Sequence, residues 1–136
     1  MKVKRPWRAA WTSTGLYPDG WIHPNHPARV RIYSGRNAPT QIFKVAVILD
    51  SPREATHDVS YRVGTATGTL APTIRAEPQT RVCVPAGGHA DITLQSQRAA
   101  TIGSPPIAPV PGPTRNVGLI VSGVQLSPTG NPCSPG

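Results

Sequence analysis

The side chains with the most chemical potential lie close together near the start of the chain: Tyr17, Asp19, Trp21, His23 and His26, with Tyr33 a short way on. Aromatic rings can stack on the apolar face of a sugar, and a carboxylate and imidazoles can bond its hydroxyls, which makes carbohydrate binding the chemistry this set suits. Catalysis asks for more. Hydrolysis needs a carboxylate pair, or a nucleophile with a base and an orienting acid. The six acids, Asp19, Asp50, Glu54, Asp58, Glu77 and Asp91, fall mostly on apparent turns and strand ends, and no motif singles out a pair. The chain is therefore read as non-catalytic. His23 and His26 share a Pro-rich turn, where their spacing lacks the geometric force a helix would give it, so no metal is assigned. Calcium is the one cofactor to weigh, through Asp19, and no clustered Asp/Asn run accompanies it.

A turn has to hold these groups. Gly20 is free to take positive φ and Pro18 fixes φ at about −65°. The stretch Gly15-Leu16-Tyr17-Pro18-Asp19-Gly20-Trp21-Ile22-His23-Pro24 thus reads as a tight corner that presents Asp19 and aims Tyr17 and Trp21. Five of the seven aromatics, Trp7, Trp11, Tyr17, Trp21 and Tyr33, fall in the first quarter of the chain. Tyr17 and Tyr33 are expected at the surface. Trp21, between Gly20 and Ile22, reads either as core or as a sugar platform. Asp19 reads either as a ligand for sugar hydroxyls or as the internal partner of an arginine that braces the corner.

Around the corner, seventeen Pro and thirteen Gly in 136 residues rule out a helical protein, and no window sustains an i, i+3, i+4, i+7 apolar pattern. Short Val-, Ile- and Thr-rich bursts between Pro, Gly, Asn and Ser predict an all-β fold. The expectation is a jelly-roll-like β-sandwich of seven to nine short strands with little or no helix. Ala28–Ser34 alternates, sending Val30 and Ile32 inward and Arg29, Arg31 and Tyr33 outward. Gln41–Asp50 is the most apolar run and predicts a central strand. Residues 64–69 read as a loop or a hairpin tip, and Pro72 and Pro78 confine the next region to a sheet edge. Gln79–Pro85 and His89–Gln95 are placed to form a hairpin. The proline run at 104–113 predicts extended polyproline II, and Arg115–Leu126 a closing strand in which Gly118 and Gly123 allow a bulge or a close backbone approach. The expected organisation is one domain: a basic arm at 1–10, the sandwich at 11–126 and a Pro/Gly-rich tail at 127–136.

Fourteen Lys and Arg against six acids give a formal charge of +8, a field that attracts polyanions. Beyond Lys2, Lys4, Arg5 and Arg8 the basic residues are scattered singly, without the interleaved rings of a strand-binding platform, so no specific nucleic-acid partner is assigned. Cys83 and Cys133 lack the spacing of a zinc site. They are read as a disulfide tying the tail to the 81–85 strand, which places the protein in an oxidising, extracytoplasmic compartment; the alternative is two separate thiols. No 18-residue apolar run is present, so the chain as given has no membrane span, and export would depend on a longer precursor or a removed signal.

Thr12-Ser-Thr-Gly-Leu-Tyr-Pro-Asp-Gly-Trp-Ile, the Ala28–Ser34 strand, Val82-Cys-Val-Pro and Arg115-Asn-Val-Gly-Leu-Ile-Val-Ser-Gly-Val-Gln-Leu together resemble a jelly-roll-like domain attached to bacterial cell-envelope glycosyltransferases. That family opens with G-x-Y-x-D-G-W and closes with R-x-x-G, matched here by Gly15, Tyr17, Asp19, Gly20, Trp21, Arg115 and Gly118. The resemblance implies an accessory carbohydrate-binding module beside a membrane-embedded arabinofuranosyl- or mannosyltransferase, and an Asp19–Arg115 pair across the fold. Pro113-Thr114 stands where the family usually has an acid just before the arginine, and the proline run and the cysteines are not part of its pattern. The leading expectation is a glycan binder using Tyr17, Asp19, Trp21, His23, His26 and Tyr33. The alternative is a structural or assembly sandwich, such as a virion decoration protein, whose arm and tail reach neighbouring subunits.

Overall fold

A computed structural model describes residues 9–35, 37–103 and 114–134. Trp7, most of the expected basic arm and the expected polyproline II segment lie outside the described residues. Eleven strands follow in order: β1 Ala9–Thr14, β2 Ala28–Ser34, β3 Gln41–Asp50, β4 Val59–Val63, β5 Ala66–Leu70, β6 Arg75–Ala76, β7 Gln79–Val84, β8 His89–Ser96, β9 Ala100–Gly103, β10 Thr114–Val117 and β11 Ile120–Pro128. There is no helix among the described residues. The count exceeds the seven to nine expected for local reasons. The small residues after Gly64 form a strand of their own beyond the hairpin tip, Pro78 splits one edge strand into β6 and β7, and the closing run breaks at Gly118-Leu119 into β10 and β11.

A five-stranded sheet ordered β1-β2-β8-β4-β5 faces a second sheet in which β3 lies between β11 and the β6–β7 edge. A short β9–β10 pair stands apart. β3 is central in its sheet, as its continuous apolar character requires, and the proline-bearing region forms an edge, where a residue without an N–H does no harm. Pro78 still accepts a bond from Val47 N–H through its carbonyl (3.0 Å). The hairpin expected between Gln79–Pro85 and His89–Gln95 does not form. β7 pairs with β3 and β8 with β2 and β4, so the turn at 85–88 carries the chain from one sheet to the other.

The core is the apolar side of both sheets: Val30 and Ile32 from β2, Phe43, Val45, Val47 and Leu49 from β3, Val59 and Val63 from β4, Ile92 and Leu94 from β8, and Ile22 and Leu119 between strands. Alternate residues of β8 point away from it, so His89, Asp91, Thr93 and Gln95 stand on the outer face of the five-stranded sheet. Register places Arg29 and Arg31 of β2 and Arg62 of β4 on that same face. Cys83 and Cys133 form a disulfide, 5.9 Å between Cα atoms, which ties the tail to β7. Main-chain bonds between Ile42 and residues 129 and 131 continue the attachment.

Candidate functional site

The corner forms as a turn over Tyr17-Pro18-Asp19-Gly20. Gly20 N–H donates to Tyr17 O (2.8 Å), and Gly20 sits at φ +91°, a conformation a side chain would oppose. Tyr17 N–H and Trp21 O close the base of the turn at 2.9 Å. The returning arm is then stitched to the closing segment by Ile22 N–H to Leu119 O (2.9 Å) and Val121 N–H to Gly20 O (2.9 Å). The corner is thus one edge of the folded body rather than a projecting loop.

Asp19 meets Arg115 as a two-bond fork, with Nη1 to Oδ1 at 3.2 Å and Nη2 to Oδ2 at 2.5 Å. The same guanidinium lies 4.6 Å from the centre of the Tyr17 ring, and the His23 ring stacks on that tyrosine at 3.7 Å and 25° between planes. Two groups this close to one ring must occupy opposite faces. Tyr17 is therefore sandwiched between Arg115 and His23, and its hydroxyl donates to Asn116 O (3.0 Å). Tyr17, expected to stack on a ligand, thus has its ring packed between two side chains of the protein itself. Trp21 is half-buried beside it.

Arg115, chiefly by its side-chain hydrogen bonds, holds the Asp19 carboxyl below its ordinary value of 3.8. Arg75 does the same for Asp50, where Ser122 also donates, and Arg31 for Asp91. A carboxylate whose folded value is depressed contributes stability above its unfolded value and loses it as pH falls through the folded one. The melting temperature should therefore be flat above about pH 5 and decline below about pH 4. An Asp19→Asn protein should melt below the parent at pH 7 and converge on it near pH 2. Thermal melts of both across that range check this, and parallel curves would show that the fork adds nothing.

The remaining expected ligand residues go elsewhere. Tyr33 stands on the outer face of the five-stranded sheet, 36% exposed, its hydroxyl 3.3 Å from Thr12 Oγ1 and its ring tilted toward His89. His23 and His26, 5.8 Å apart between ring centres, border a groove of about 360 Å³. It exists because β2 begins at Ala28, opposite Leu94, whereas β8 runs on to Ser96. The turn at 23–27 takes the place of the missing β2 residues and leaves a gap over β4 and β8. Tyr61, Arg62, Gln95 and Gln97 complete the walls. None of these four was legible as a site residue. Alternation marks Arg62 and Gln95 as outward, but only the pairing Arg62↔Gln95 brings them together.

Among the described residues no three His, Cys, Asp or Glu side chains converge in the manner of a metal site, and no helix is long and apolar enough to cross a membrane. Comparison of the chain with protein-family models, with curated proteins and with solved structures finds no match.

Proposed function

We propose that the protein is a non-catalytic glycan-binding module that works outside the cytoplasm on cell-envelope polysaccharide. The observation that carries the reading is the groove between the 23–27 turn and the β4–β8 pair, where His23, His26, Tyr61, Arg62, Gln95 and Gln97 border one open depression. Flat rings and short planar polar groups on rigid strands are what sugar recognition uses, since the rings take the apolar face and the amides read hydroxyls. The Cys83–Cys133 bond favours an oxidising compartment. The resemblance of the corner and closing segment to accessory domains of envelope glycosyltransferases adds a partner, a membrane-embedded transferase whose acceptor glycan this module would position.

The test is a glycan array followed by titration of the tightest binder. His26→Ala and Gln95→Ala should each weaken binding about tenfold, the worth of one hydrogen bond to a ligand, with the melting temperature unchanged because both side chains are exposed. Affinity indifferent to both substitutions would move the site away from this groove. A second reading, an assembly sandwich, is favoured by Trp11, 38% exposed on the edge strand β1, and by Ile74, 52% exposed. Sedimentation of the intact protein separates the two, since the module is monomeric and the assembly subunit is not.

A further inference from the structure

We propose that the glycan bound by this protein is acidic, and that it lies along a track running from the His23–His26 groove across the outer face of the five-stranded sheet to Tyr33. The proposal rests on the glycan-binding reading above and adds the ligand's class and path. Three depressions on the surface share walls. Pro27 belongs both to the groove and to a second hollow lined by Thr14, Arg29 and Thr93, and Thr14 and Arg29 belong both to that hollow and to a third lined by Thr12, Arg31 and Tyr33. They therefore form one path. Along β8 it extends from Gln95 to His89, about 20 Å at the rise of a strand.

The charge along this path is one-sided. The strands of the sheet carry Arg29, Arg31 and Arg62, with His89, against a single acid, Asp91. Asp91 is occupied by Arg31 in a two-bond fork of 2.9 and 3.2 Å. Arg29 stands 3.9 Å from the same carboxylate with its side chain 60% exposed, and Arg62 makes no ion pair among the described residues. Arg29 thus shares a carboxylate already forked by Arg31 and Arg62 has none among the described residues, so both guanidinium groups keep capacity to meet anions from outside. Their strand positions lie two strands and one diagonal step apart, roughly 12 Å between Cα atoms.

That spacing decides between polyanions. Duplex DNA presents a charge about every 1.7 Å, and binding a single strand calls for a succession of rings on which bases stack. Apart from Tyr61 at the groove, which alternates with the outward Ser60 and Arg62, the outward positions of these strands offer one tyrosine, Tyr33, among Thr, Ser, Gln, Arg, His and Asp. Sparse cations interspersed with hydroxyls and amides match a polymer of hydroxyl-rich units with one carboxylate or sulfate every unit or two.

The experiment is calorimetric titration of the intact protein with polygalacturonate, with a neutral arabinan of similar length and with a single-stranded oligonucleotide. Polygalacturonate should bind most tightly, and Arg29→Gln combined with Arg62→Gln should weaken it at least tenfold without lowering the melting temperature. The control removes equal charge from the opposite sheet. Lys44→Gln with Arg81→Gln, cross-strand neighbours on the other outer face, should leave affinity within twofold of the parent. Arabinan bound as tightly as polygalacturonate, and unaffected by the arginine pair, would overturn the acidic ligand while sparing the glycan reading. Binding to no glycan would overturn both. Tighter binding to the oligonucleotide, or equal losses from the two pairs, would also overturn the proposal, since either reports net charge rather than this track.

Discussion

Reduction of the Cys83–Cys133 bond should lower the melting temperature by about 14 °C. The two cysteines are 50 residues apart. Opening a loop of that size returns to the unfolded chain an entropy worth about 4 kcal/mol at room temperature. For a domain of this length, at roughly 2.1 cal/mol/K of unfolding entropy per residue, 1 kcal/mol corresponds to about 3.5 °C. The native state changes little, because the tail keeps bonds of its own. Thr129 N–H donates to Ile42 O at 3.0 Å, Ile42 N–H to Asn131 O at 2.9 Å, and Gly130 N–H to Gln41 Oε1 at 2.8 Å. Replacing both cysteines by serine should give the same shift as reductant, which separates loss of the cross-link from the cost of placing a hydroxyl at Cys83. Scanning calorimetry with and without reductant is sufficient, and coincident transitions would contradict the estimate.

Gly118→Ala should cost about 3 kcal/mol and lower the melting temperature by roughly 10 °C. The main chain at 118–119 is threaded between Ile22 and Ser96. Gly118 N–H donates to Ile22 O (2.6 Å), and Leu119 N–H donates to the buried Ser96 Oγ (3.0 Å). A methyl group at 118 would sit 2.6 Å from Ser96 Oγ, 2.9 Å from Ser96 Cβ and 3.0 Å from Ile22 O. Rotating the Ser96 hydroxyl away relieves only the first of these and strands the Leu119 N–H in the core, while the other two atoms are held by β8 and by the arm of the corner. Overpacking and a loosened buried bond therefore add. Ser96→Gly removes the obstructing side chain, so the double variant should be more stable than the sum of the two single losses predicts. A Gly118→Ala protein melting within 1 °C of the parent would refute the close approach.

The gap between local pattern and assembled structure is visible at single residues. Period-2 alternation places Val30 and Ile32 in the core and Arg29, Arg31 and Tyr33 outside, and the structure has them so, because a strand's two faces depend only on neighbours along the chain. The Pro18-Asp19-Gly20 turn is equally local, since proline and glycine restrict or free their own φ. Tyr17 shows where such reasoning stops. A tyrosine on a turn is expected at the surface, and this one is covered by Arg115, which is 98 positions away along the chain and arrives through strand pairing.

By itself, then, the sequence determined the all-β class, the facing of its strands and the existence of the corner, because all three follow from dihedral preference and side-chain alternation over a few residues. Tertiary structure alone decided that β7 and β8 part into different sheets, that Tyr17 is braced and not open, and that the 23–27 turn meets Arg62 and Gln95 around a groove. Those outcomes depend on which strands lie side by side, and that is chosen by the burial of both sheets at once, a sum over distant residues that no local spacing records.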